Sequence, residues 1–248
     1  MRIAVIIPSR YASTRLPAKP LVKIAGKAMI QRVYERAMMS KIATDVAVAT
    51  DDTRIYDAVT AFGGKCIMTS ETCKSGTDRV YEAAKKLGLE LNDIVVNVQG
   101  DQPVFEPDII DEVARPLVND PETGMSTLAY EIINKREITD PKDCKVVFDN
   151  NGWALYFSRA PIPFGRDTGL EYPVYKHLGI YAYTMAFLEK FTSLPTGRLE
   201  NIEKLEQLRA LESGLGIKIV VTKHDSLEVD LPEDIRRIEI MLKKDSRG

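Results

Sequence analysis

Four short apolar runs constrain this chain more than anything else in it. They are IAVII at 3–7, VAVAT at 46–50, KCIM at 65–68 and DIVVNV at 93–98. Runs this short and this predominantly apolar are what strands buried on both faces look like. Helical spacing fills the gaps: Met29, Ile30, Val33, Tyr34 and Ala37 within 27–39, a second stretch at 52–62, and Val80, Ala83, Ala84 and Leu87 within 76–87. Strand alternating with helix predicts a doubly wound, mainly parallel sheet covered on both sides.

After residue 124 the rhythm changes. MSTLAYEI (125–132), CKVVFD (144–149), WALYFS (153–158) and GIYAYT (179–184) are rich in β-branched and aromatic residues. Asn150–Asn151–Gly152 between two of them is a hairpin signal. The pattern predicts an antiparallel extension, then a helix at 201–213, a strand at 217–221 and a last helix near 233–244. With 248 residues, no repeat, no low-complexity tract and no long linker, residues 1–248 read as a single α/β domain.

In open α/β sheets ligands bind beyond the carboxyl ends of the strands. Four segments sit there. The first, PSRYASTRLPAKPL (8–21), places Arg10, Arg15 and Lys19 directly after the first strand. Such a loop either grips phosphate oxygens or is a solvated basic loop. Neither G-x-x-x-x-G-K-[ST] nor G-x-G-x-x-G is present. The second, KSGTDR (74–79), allows close backbone approach at Gly76, and Ser75 or Thr77 can cap a helix there. The third, NVQGDQP (97–103), holds Asp101 on a short turn, as a hard-cation ligand or an ordinary turn aspartate. The fourth, LEVDLPED (227–234), carries Asp230, either a helix cap or the second carboxylate of a magnesium site shared with Asp101. Arg159 and His177, in the antiparallel section, can face the same crevice and bind a carboxylate. No Ser-His-Asp signature stands out, which leaves nucleophilic hydrolysis unsupported.

The net charge of −2 argues against a nucleic-acid partner. No apolar run approaches the ~20 residues needed to span a bilayer, and MRIAVIIPSR reads as a first strand rather than a signal peptide, so no membrane partner is expected. Cys66, Cys73 and Cys144 show no CxxC spacing, which fits free thiols in the cytoplasm.

Taken together, IPSRYASTRLPAKPL, SGTDR, NVQGDQP, YFSRAPIPF, KHLGIYAY, IEKLEQLR (202–209) and VDLPED resemble, in order, the 3-deoxy-manno-octulosonate (Kdo) cytidylyltransferase family. The resemblance runs from residue 2 to about residue 240. It implies a Rossmann-like fold of the nucleotide-diphosphosugar transferase type. It implies transfer of CMP from CTP to Kdo or an analogue such as 8-amino-Kdo, with Mg²⁺ as cofactor, in a homodimer serving lipopolysaccharide synthesis. Carried over by position, Arg10 and Lys19 bind the triphosphate with Arg15 in support, and Pro8 and Ser9 lie at the nucleotide. Ser75, Gly76, Arg79 and Gln99 are expected at the nucleoside side. Gln102, Arg159, His177, Glu206 and Gln207 are expected around the sugar acid, and Asp101 and Asp230 at the metal, with Arg10, Lys19 and Asp101 as the catalytic group. Residues 1–124 and 217–248 would bind nucleotide, and 125–216 would bind sugar and form the dimer. The family commonly reads IPAR where this chain has Ile7–Pro8–Ser9–Arg10, and Ser9 gains no role from the resemblance. Hexose-phosphate nucleotidyltransferases open with a glycine-rich stretch, absent from Ser9–Ser13 here, which favours an acid-sugar substrate; sialate-type enzymes are the nearer alternative. A non-catalytic nucleotide-binding regulator would have no need of both Asp101 and Asp230, and an interaction module would not need cations and acids at four strand ends.

Overall fold

The computed structural model describes residues 1–12, 16–120, 122–167 and 169–245. The first half follows the expected alternation: β1 (Ile3–Ser9), a 3-10 turn at Lys19–Leu21, the small ribbon β2 (Lys23–Ile24) and β3 (Lys27–Ala28), α1 (Met29–Ala37), β4 (Asp45–Thr50), α2 (Thr53–Ala61), β5 (Cys66–Met68), α3 (Gly76–Lys86) and β6 (Ile94–Asn97). The order β6-β1-β4-β5 is parallel throughout. Alternate residues of β1 explain its unbroken apolar run. Ile3, Val5 and Ile7 join the core under α1, α2 and a later helix, while Ala4 and Ile6 join the one under α3.

A helix that the spacing leaves unassigned follows: α4 (Asp108–Asn119), with Ile109, Ile110, Val113, Ala114 and Leu117 buried. Pro116 sits inside it and reads as a breaker in sequence. Next come β7 (Met125–Glu131), α5 (Arg136–Thr139), and the hairpin of β8 (Lys145–Phe148) and β9 (Ala154–Ser158). Its turn is closed by Asp149 Oδ1, which accepts from the Asn151 and Trp153 backbone N–H groups, with Gly152 at φ +78°.

β10 (Tyr175–Thr184) is longer than the expected strand and begins four residues earlier. It pairs antiparallel with β6 and β7, and its first two residues pair with β8. The last elements are α6 (Met185–Ser193), α7 (Arg198–Glu203), α8 (Leu208–Glu212), β11 (Lys218–Thr222) and α9 (Pro232–Asp245). β11 runs parallel to β7, so β7 and β11 point the same way as the nucleotide-side strands and β10 is the reversed member. The single helix expected at 201–213 is two, broken where Lys204 takes a left-handed φ of +55°. That break turns Glu206 and Gln207 inward. No helix among the described residues is long and apolar enough to cross a membrane.

Candidate active site

β6 ends at Asn97 while β10 runs on to pair with β8, so the sheet forks. A register shift between His177 and Tyr181, with Gly179 at φ +64°, marks the fork. A cavity of about 690 Å³ opens there, lined by Asn97, Gln99, Asp101, Arg159, His177, Tyr181, Glu206 and Gln207 together with the segments around α5 and 226–228.

At one rim the basic loop meets the acids. Lys19 Nζ lies 2.6 Å from Asp101 Oδ2 and 3.1 Å from Asp230 Oδ1. Burial pulls the Lys19 pKa down, but the two carboxylates more than offset that, and the net direction is upward. The geometry assigns the cap to a residue other than Asp230. Asp234, not Asp230, anchors the start of α9: its Oδ2 accepts from the backbone N–H groups of Asp230 and Leu231. Asp230 is turned toward Lys19 instead. The 98–101 turn approaches β1 closely, and a Cβ at Gly100 would stand 3.0 Å from the Pro8 carbonyl oxygen. The Asp101 carbonyl accepts from Val229 N–H at 2.9 Å, tying the two acidic loops together.

Two carboxylate oxygens converging on one ammonium are hard donors aimed at one point, which fits magnesium. Among the described residues no cluster of three or more His, Cys, Asp or Glu forms a metal cage. A magnesium ion held there would take two oxygens from the protein and the rest from phosphate and water.

A third acid, Glu228, lies two residues before Asp230 within LEVDLPED, though the sequence assigned it no role. Burial, then repulsion from Asp101 and Asp230, raises its pKa to about 7. On the sugar-side wall, Arg159 is held by two carbonyls: Nε donates to Glu203 O and Nη1 to Pro141 O, each at 2.8 Å. Tyr181, inside KHLGIYAY but given no role by it, donates its hydroxyl to Gln207 Oε1 at 3.2 Å. Gln99 Nε2 donates to the Gly179 carbonyl at 3.2 Å across the fork. Thr77 donates to Glu206 Oε2, pinning the α7–α8 turn to the start of α3. Lys176, paired with Glu137 and Asp225, ties α5 to the segment after β11. Cys144 lines the cavity, but burial pushes its thiol up to about 12, so it supplies no thiolate.

The chain belongs to the cytidylyltransferase family.

The sequence profile of that family matches residues 4–223. A 3-deoxy-manno-octulosonate cytidylyltransferase of Desulfatibacillum aliphaticivorans is 68% identical over 98% of this chain and 99% of its own length. An 8-amino-3,8-dideoxy-manno-octulosonate cytidylyltransferase of Shewanella sp. (strain ANA-3) is 56% identical over 99% of this chain and 100% of its own length. The solved structure of a CMP:2-keto-3-deoxy-manno-octonic acid synthetase complexed with CTP superposes with a TM-score of 0.92 at 39% identity, covering 99% of this chain and 100% of the other.

Several expected positions take different places in this cytidylyltransferase. Arg79 does not face the cavity: its side chain is 1% exposed, and Nη2 lies 2.6 Å from Asp51 Oδ2 while Nη1 donates to Thr69. Gln102 is fully buried behind β10, where its amide donates to Leu178 O at 3.0 Å. The Ser75 hydroxyl caps α3 by accepting from Asp78 N–H while its own backbone N–H donates to Asp78 Oδ2 in a reciprocal capping box, so the hydroxyl proton is the group it has left to donate. Gly76 does line the cavity, and a Cβ there would meet Pro8 only at ordinary contact distance, so the packing against Pro8 does not itself require glycine. Arg10 lies on the surface with Nη2 donating to Cys73 O at 2.9 Å. Ser9 is 4% exposed, and its hydroxyl finds no partner among the described residues. Arg15 lies outside the described residues. His177 is packed between Phe157 and Tyr181, and burial lowers its pKa to about 3. A neutral ring cannot be the cation that binds a carboxylate.

Proposed function

We propose that this nucleotidyltransferase moves CMP from CTP to the anomeric hydroxyl of 3-deoxy-manno-octulosonate and releases pyrophosphate. The observation that carries the reading is the Lys19–Asp101–Asp230 triad at the mouth of the forked-sheet cavity. The names of the relatives at 68% and 56% identity support an acidic eight-carbon sugar as acceptor. The anomeric oxygen attacks the α-phosphorus, the bond to the bridging oxygen breaks, pyrophosphate leaves, and the hydroxyl proton passes to solvent.

Triphosphate and sugar carboxylate are both anions, so positioning and charge neutralisation are the main tasks. Lys19, with Arg10, would neutralise the phosphates. Arg159 would meet the sugar carboxylate with a charge-assisted hydrogen bond. Asp101 and Asp230 would hold Mg²⁺, which when bound withdraws charge from phosphate oxygens. Residues 1–124 and 217–248 would carry the nucleotide and 125–216 the sugar and a homodimer contact. The setting that fits such an enzyme is the cytoplasm, upstream of lipopolysaccharide assembly.

The test is pyrophosphate release from CTP, UTP and ATP against Kdo, 8-amino-Kdo, sialic acid and hexose phosphates, with and without Mg²⁺. Turnover of CTP with Kdo is expected. Preference for 8-amino-Kdo would move the acceptor to the analogue, and turnover only with a hexose phosphate would overturn the reading.

A further inference from the structure

His177 has two ring nitrogens, and the surrounding hydrogen bonds settle which one carries the proton. Thr127 Oγ1 lies 2.7 Å from the carbonyl oxygen of Ile180 and 2.9 Å from His177 Nε2. A carbonyl has no proton to give, so the single hydroxyl proton of Thr127 lies on the Ile180 contact. Toward His177 the threonine oxygen can then only accept. Nε2 must therefore be N–H, and in a neutral imidazole Nδ1 is left with its lone pair. The ring packs edge-on to Phe157 with centroids 5.1 Å apart and lies 5.2 Å from the Tyr181 ring, and desolvation in that packing favours its neutral form. Its backbone is fixed as well, with His177 N–H donating to Cys144 O at 2.8 Å.

The second nitrogen looks the other way. His177 lines the cavity, and Nδ1 is not among the side-chain atoms that are sealed from solvent without a partner among the described residues. His177 shares the lining of that cavity with Arg159 and Gln207.

We infer that Thr127 is a positioning residue that locks His177 as a neutral hydrogen-bond acceptor, so that its Nδ1 receives a hydrogen bond from a hydroxyl of the sugar while the carboxylate is left to Arg159. This rests on the proposed acidic-sugar reading. It assigns a division of labour within the cavity: one wall selects the acid, another counts a hydroxyl. Thr127 is fully buried on β7 and touches no ligand itself.

The chain holds only two histidines, His177 and His224, which makes the test direct. Two-dimensional ¹H–¹⁵N spectra of the imidazoles are recorded on the full protein, with His224→Gln assigning the signals. His177 is expected as the Nε2–H tautomer without titration between pH 5 and 8. Thr127→Val is expected to redistribute the tautomer and to raise KM for the sugar about tenfold, the scale of one net hydrogen bond, with KM for CTP within twofold. Thr127→Ser is expected to restore both. A wild-type ring that is Nδ1–H or imidazolium at pH 7 overturns the inference, and so does an altered tautomer in Thr127→Val with unchanged sugar KM. The spectra need no substrate and the KM is read with whichever sugar turns over, so a wrong acceptor assignment is distinguishable from a wrong role for Thr127.

Discussion

Arg79 is the position where motif and structure part most clearly, and replacing it by Met decides between them. Its guanidinium joins α3 to the segments after β4 and β5 through Asp51 and Thr69. Met fills the stem volume but leaves Asp51 without its countercharge. Breaking a buried pair by removing one partner costs about 3–5 kcal/mol. Asp51 keeps 22% of its side chain exposed, so water recovers part of that and the low end, about 3 kcal/mol, applies. For a chain of this size that is a fall in Tm of roughly 6–12 °C. The assay pairs thermal unfolding with CTP kinetics at a temperature where both proteins are folded. The expected result is the lower Tm with KM for CTP changed by less than about threefold, and recovery of most of the stability in Arg79→Met/Asp51→Asn, since two neutral partners leave no bare charge. A Tm within about 2 °C of wild type together with a large rise in CTP KM would put the guanidinium on the nucleoside and refute the bracing role.

Asp101→Asn is expected to lower kcat by ~10²-fold or more with an unchanged circular dichroism spectrum, because it removes one of two converging carboxylates; wild-type kcat would dissociate Asp101 from catalysis. Arg159→Ala is expected to raise KM for the sugar acid by about 10-fold to 100-fold, the scale of a hydrogen bond to a charged group, and an unchanged sugar KM would move the carboxylate elsewhere. His177 has a folded pKa of about 3 against an ordinary value of 6.5. Above pH 6.5 both states are neutral; below it the unfolded chain takes the proton first, so stability is lost as pH falls from 6.5 toward 3. At pH 5 the loss is about 2 kcal/mol. Urea midpoints at pH 7 and 5 should therefore differ more in wild type than in His177→Gln, and equal differences would remove His177 as the cause.

The buried strands were readable because they are predominantly apolar: Ala4, Val5, Ile6 and Ile7 are all fully buried. The capping box of α3 and the turn after β8 were readable because their chemistry is local. Arg79 was also marked, though by a different signal than its motif. It precedes Val80 by one position and Ala83 by four, inside the apolar stripe of α3, so the helix carries it inward. What sequence did not reveal depends on single backbone choices or on distant partners. Pro116 hides α4, Lys204 divides a helix at one dihedral, and Glu228 owes its raised pKa first to burial and then to Asp101, 127 positions away in sequence (228 − 101), and Asp230. His177 could be placed at the cavity from its strand, but its lowered pKa comes from burial among distant residues and its tautomer from Thr127.

The fork at β10 has a mechanical consequence. One continuous strand is laddered to β6 along its second half and to β8 at its start, with β7 alongside both. A swinging hinge needs a seam crossed by few bonds, and here the strand itself is the seam. The ladder to β7 is interrupted once, by the register shift between His177 and Tyr181 where Gly179 takes a positive φ. Relative rotation of the two sides would fall on that interruption, while the paired stretches on either side of it move as units.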